Sequence, residues 1–192
     1  MDSANNIIKK WINEYDNFEL NKYEELSEVD LYMDQVIFFL SKKLGIFNYT
    51  SEDKPITPSM INNYVKGKVI SAPIKKKYNR EHLAYLFEVY FLKQVLSLEE
   101  VSQILKSSYN KGLSNSDVFN NFAKKSEETN DKLCKETLEK LENIEPNDFN
   151  SLNELALNLA LEANSAITLA KRILYVTNIL EHIEKEKIED EE

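Results

Sequence analysis

Apolar residues recur along this chain at intervals of three and four, with few interruptions. Ile8, Trp11, Ile12 and Tyr15 share one helical face, and Ser3 can cap it, so a first helix is predicted from Ser3 to Tyr15. Residues 16–28 are polar and irregular. Met33, Val36, Ile37, Leu40 and Leu44 then predict a second helix, capped by Asp30 and stopped at Gly45. Thr57-Pro58-Ser59 is a compact helix start. The threonine takes a free amide, and proline fits a first position whose N–H has no partner anyway. That helix runs from Pro58 to Lys66, and Gly67 ends it. Val69, Ile70 and Ile74 follow in a stretch punctuated by Pro73, which suits a two-stranded wing.

From Asn79 a third strong helix is predicted over Arg80 to Leu96. Leu83, Ala84, Leu86, Phe87, Val89, Tyr90 and Phe91 cover nearly all its sides, as in a helix at the centre of a core. Ser97-Leu98-Glu99-Glu100 is a capping box opening a short helix to Ser107. Ser114 or Ser116 starts a longer helix reaching Ile144, before Pro146. The last helix, Ser151 to Lys187, carries a stripe. Leu152, Leu159, Ala166, Ile173 and Leu180 repeat at seven; Leu155, Glu162, Leu169, Val176 and Ile183 repeat at seven, three residues on. This is an a/d pattern over five heptads with Glu162 as its charged member. It can pack inside the monomer or pair with a second copy. Its length favours a homodimer through the C-terminal helices.

Composition agrees with helix. Three glycines and four prolines in 192 residues leave few breakers. With 42% hydrophobic and 30% charged residues, the chain reads as one globular protein with a sizeable core. Gly45, Gly67 and Gly112 never approach a phosphate-cradling spacing, which argues against a dinucleotide or P-loop fold. The single Cys134 excludes an intrachain disulfide and fits a reducing compartment. The first residues show no secretory pattern, and no run reaches the ~18 apolar residues of a membrane span. A cytoplasmic protein is expected, without a membrane partner.

Charge changes the picture. Residues 54–80 hold Lys54, Lys66, Lys68, Lys75, Lys76, Lys77 and Arg80 and no acid. The whole chain carries −9, so the residues outside this stretch carry −16. A local positive field in an acidic chain suggests an anion site, above all a nucleic-acid backbone. Tyr64 and Tyr78 would pack beneath the wing or point hydroxyls at phosphate. His82 follows the wing and is expected at the surface. His82 and His182 have no companion ligand cluster, so neither a metal nor a cofactor is expected. The carboxylates fall along expected solvent faces, and no catalytic constellation is visible, so an enzyme is not expected.

Helix, turn, basic hairpin, apolar helix and serine-capped helix occur in this order over about residues 55–107. The order resembles the winged helix-turn-helix of MerR-type transcriptional regulators. Ile61-Asn62-Asn63-Tyr64 stands where that family has Leu-Arg-Tyr-Tyr, Lys76-Lys77-Tyr78 at the wing's Arg-Leu-Tyr, and Leu96-Ser97-Leu98-Glu99-Glu100-Val101 is similar to its Phe-Ser-Leu-Glu-Glu-Ile. MINNYVKGKVISAPIKKKYNREHLAYL, with LYMDQV upstream, resembles more closely a family of uncharacterised proteins of low-GC Gram-positive bacteria, a domain of unknown function. Asn62 and Asn63 depart from the MerR arginine and tyrosine, so base preference does not carry over.

The expectation is a mainly helical, all-α fold: a winged helix-turn-helix with a small β-wing, plus long C-terminal helices. Residues 1–110 would form a DNA-binding domain with its core at 55–107, residues 113–188 a dimerisation or effector region, and 189–192 an acidic tail. The resemblance implies a transcriptional regulator bound to double-stranded DNA. Ser59, Asn62, Asn63, Tyr64, Lys66, Lys68, Lys75, Lys76, Lys77, Tyr78 and Arg80 form its DNA-contacting set. The alternative is a non-enzymatic adaptor whose winged helix grips an acidic protein.

Overall fold

The computed structural model describes residues 2–48, 55–110 and 112–190. Lys54 lies outside them. Among the described residues the architecture is mainly α-helical: α1 (Ala4–Asp16), β1 (Leu31–Tyr32), α2 (Met33–Lys43), α3 (Pro58–Lys66), β2 (Lys77–Tyr78), α4 (Arg80–Lys93), α5 (Leu98–Tyr109), α6 (Asn115–Glu142) and α7 (Phe149–Asp190). Single 3-10 turns at Tyr23–Glu25 and Gly45–Phe47 punctuate the first third. No described helix is long and apolar enough to cross a membrane.

Local chemistry sets most helix starts. Ser3, Thr57, Asn79, Ser97 and Ser114 each accept a backbone N–H of the first turn through the side chain. Asp30 is not the cap expected for the second helix. Leu31 and Tyr32 form a strand instead, antiparallel to β2, with Leu31 opposite Tyr78 and Tyr32 opposite Lys77. The helix therefore begins two residues later, and Gln35 Oε1 accepts from the Tyr32 N–H at 2.9 Å. Pairing with a strand more than forty residues away decides this start, which no local pattern reveals.

α4 is the centre of the molecule. Leu83, Ala84, Leu86, Phe87 and Val89 are essentially inaccessible, and Val36 and Leu40 of α2, Ile61 of α3, Val101 of α5 and Phe119 of α6 close around them. Truncating such a buried aromatic side chain typically costs ~3–5 kcal/mol. One carboxylate, Glu88, is buried here rather than solvent-facing as expected. Tyr109 Oη donates to its Oε2 at 3.0 Å, and Tyr85 stacks on Tyr109 with ring centroids 4.3 Å apart. Burial raises the Glu88 pKa to about 7.

A second, smaller core joins the two ends of the chain. Ile12 of α1 packs with Cys134 and Leu141 of α6, and Leu152 and Leu155 of α7 lie against them. Cys134 is thus a buried apolar contact. The predicted heptad stripe divides here. Its first members, Leu152 and Leu155, are spent inside the monomer, whereas Leu169 is 66% and Ile173 63% exposed. Beyond the small core, Gln103 Nε2 of α5 donates to the Leu174 carbonyl and to Thr177 Oγ1, both at 3.0 Å, and holds α7 to the larger body.

Candidate nucleic-acid interface

Thr57 Oγ1 accepts from the Met60 N–H at 3.3 Å and starts α3. Ile61 and Tyr64 are buried against the main core, which fixes the rotation of this short helix. Ser59, Asn62, Asn63 and Lys66, at helical spacing, are all exposed. Gly67 follows because α5 crowds the helix end: a Cβ there would stand 2.8 Å from Leu98 Cδ2.

Lys68 is exposed and turns the chain with φ 56°. The N–H groups of Val69 and Ile70 then both reach the Tyr64 carbonyl, at 3.1 and 3.4 Å, and both side chains are buried. These residues were candidates for a wing strand. The left-handed turn sends them into the core instead, so they do not form the strand expected there.

A tight hairpin follows. Ile74 and Lys77 exchange two backbone hydrogen bonds, at 3.0 and 2.9 Å, around the two residues Lys75 and Lys76. Both tip residues have positive φ, 50° and 65°. This is the primed two-residue turn that matches strand twist and favours Asn-Gly. Lysine in the left-handed region costs roughly 1 kcal/mol or more per residue. The tip side chains are exposed.

The base of the hairpin is anchored. Tyr78 is buried, and its ring meets His82 edge-on at 5.5 Å. His82, expected at the surface, is buried as well. His82 Nδ1 meets both the Asn79 N–H, at 3.2 Å, and Asn79 Oδ1, and the other ring nitrogen, Nε2, lies 3.1 Å from Ser71 Oγ. His82 thereby fastens the segment before the hairpin to the start of α4. The pattern Asn79-x-x-His82 is the signal that could have exposed this role.

Two predicted cations are already engaged. Lys77 Nζ lies 5.1 Å from the centroid of the Tyr32 ring. Arg80 Nη2 pairs with Glu28 Oε1 at 3.1 Å, its guanidinium over the Tyr23 ring at 5.8 Å. Glu28, Asp30 and Glu81 line the hollow that holds Arg80. A phosphate would have to displace Glu28 to reach it. Of the predicted set, Ser59, Asn62, Asn63, Lys66, Lys68, Lys75 and Lys76 are exposed. Tyr64 and Tyr78 are core residues whose hydroxyl pKa values burial raises.

A family model matches residues 21–129, a domain of unknown function, DUF1836. The chain belongs to this family. No curated protein and no solved structure matches it. The DUF1836 segment takes in β1 to α5, the first half of α6 and every residue of the candidate interface, and it leaves out α1 and α7. Within that segment no three His, Cys, Asp or Glu side chains among the described residues gather as a metal site would require.

Proposed function

We propose that this protein binds double-stranded DNA through the exposed face of α3 and the lysine-tipped hairpin, as a transcriptional regulator of the MerR-like winged type. The observation that carries the reading is Lys75-Lys76, two cations held at left-handed φ on the tip of a two-residue turn. Asn-Gly would fold that turn more easily, so strain is retained where charge is presented. The order strand, helix, helix, hairpin supports the same reading. In it Lys66, Lys68, Lys75 and Lys76 hold phosphates, and Ser59, Asn62 and Asn63 face base edges in the major groove. Lys77 and Arg80 position the hairpin rather than contact DNA.

The proposal extends to α7 as the dimerisation helix. Leu169, Ile173, Val176, Leu180 and Ile183 follow one another at spacings of four and three, and all are exposed. With Ile179 beside them they offer on the order of 500 Å2 per copy, a large part of the ~800 Å2 of a stable interface. Two copies present two hairpins, and paired half-sites gain affinity through effective concentration.

The test is fluorescence anisotropy of a labelled duplex from ~50 to ~200 mM salt, for the native chain and Lys75→Ala/Lys76→Ala/Lys77→Ala. Steep salt dependence and a flattened slope in the variant are expected. Flat anisotropy at low salt would reject the reading and turn the basic surface toward an acidic protein partner.

A further inference from the structure

The wall of the small core opens into a cavity of about 340 Å3 between α1, α6 and the root of α7. Trp11 and Tyr15 form one side, stacked with centroids 5.2 Å apart and planes within 16°. Ile12 and Cys134, both buried, make part of the lining, and Leu155 and Leu159 of α7 stand on another side. No charged side chain among the described residues lines it. The cavity lies within the usual size range of ligand pockets, and at the ~30 Å3 that one water fills in the liquid it suits about ten to fifteen non-hydrogen atoms.

Polar clamps fix its shape. At one end, the Ala4 N–H donates to Asn147 Oδ1 at 2.8 Å, the Asn147 N–H to Asn5 Oδ1 at 3.1 Å, and Asn5 Nδ2 to the Ile144 carbonyl at 2.9 Å. At the other, Asn130 Nδ2 donates to the Tyr15 carbonyl at 2.9 Å. α1 is thus fastened to α6 and to the α6–α7 turn on both sides of the cavity, which cannot close by a slide of α1 alone.

The chemistry of the wall selects its occupant. An ion would shed its hydration with nothing charged to replace it. Thr137 Oγ1 already donates to the Leu133 carbonyl at 2.6 Å, and Cys134 Sγ to Asn130 Oδ1 at 3.6 Å. Tyr15 Oη gives no hydrogen bond among the described residues, and burial keeps it protonated. We infer that this cavity binds an uncharged, largely aromatic small molecule with one hydrogen-bond acceptor, its ring against Trp11 and its acceptor on the Tyr15 hydroxyl. The site lies outside the basic hairpin and needs nothing from the DNA reading.

Trp11 is the single tryptophan of the chain, so its emission reports this site alone. The probe is benzophenone, an uncharged diaryl ketone, with 4-benzoylbenzoate as its charged counterpart, titrated into the full chain. Saturable quenching at one probe per chain is expected, with at least tenfold weaker binding of the benzoate. Tyr15→Phe should weaken benzophenone severalfold. Ala156→Phe, at an exposed position of the cavity mouth, should weaken it at least tenfold with the thermal melt unchanged. Quenching that never saturates, or equal binding of ketone and benzoate to the native chain, would overturn the inference without relying on any variant. So would a Trp11 emission that shifts with protein concentration alone, since a second copy would then be the occupant.

Discussion

The basic hairpin and the distal half of α7 are both exposed, yet they are held in opposite ways. The hairpin rises from a dense base: Ile61, Tyr64, Tyr78 and His82 are buried under it, and β1 pairs with its second strand. Its charges face outward, with Ile74 beside them. The distal part of α7 keeps its apolar residues outward and meets the body mainly through Leu174 and the Gln103 hydrogen bonds. One region is preorganised and polar, the other an apolar lever lacking a partner surface among the described residues. The first suits rapid, salt-sensitive contact with a fixed anion lattice; the second suits association that completes a core.

The sharpest break in this contrast is removal of charge from the hairpin. Lys75→Ala/Lys76→Ala/Lys77→Ala should lose at least a hundredfold in duplex affinity at low salt and lower the log–log salt slope by about two, the share of Lys75 and Lys76, as anisotropy would record. The matching break on the apolar side is Leu169→Glu/Ile173→Glu. On the dimer reading sedimentation should find dimer for the native chain and monomer for the variant, with the melt of the globular part little changed, because both side chains stand outside its cores. A native chain that sediments as monomer at high concentration would remove α7 from the dimer reading.

Glu88 sharpens the comparison from inside the rigid region. Its carboxyl keeps a proton in the fold up to about pH 7, whereas in the unfolded chain it ionises near its ordinary pKa. The folded state therefore binds more protons in this window. The stabilisation is complete below about pH 4.5 and is lost as pH rises toward 7, on the order of 3 kcal/mol in all. Glu88→Gln should flatten that fall in denaturant melts across the window and be more stable than the native chain near pH 8. A parallel pH profile in the variant would assign the dependence elsewhere.

Much of this was legible because capping is local. Serine, threonine or asparagine followed by an apolar period placed four helix starts and narrowed a fifth to Ser114 or Ser116, and the crowded pattern of residues 83–91 marked α4 as central. What escaped depended on distant partners. Asp30 lost its capping role to strand pairing with residues 77–78. His82 and Glu88 look like surface residues in sequence, since beyond the Asn79-x-x-His82 spacing nothing local reveals that Ser71 and Tyr109 will satisfy them in the interior. Arg80 belonged by charge to the basic run but was claimed by Glu28, fifty-two positions earlier. The heptad period identified α7 as amphipathic but could not say that α1 and α6 would cover only its root.

The most direct test of the central claim separates fold from function at one place. Lys75→Asn/Lys76→Gly installs the turn residues that this backbone prefers, while removing both tip charges. The account predicts a fold more stable by ~1–2 kcal/mol in denaturant melts, together with at least tenfold weaker, less salt-dependent duplex binding. A variant that is more stable and binds duplex DNA as well as the native chain would contradict it, because the strain at Lys75 and Lys76 would then be serving no contact with DNA.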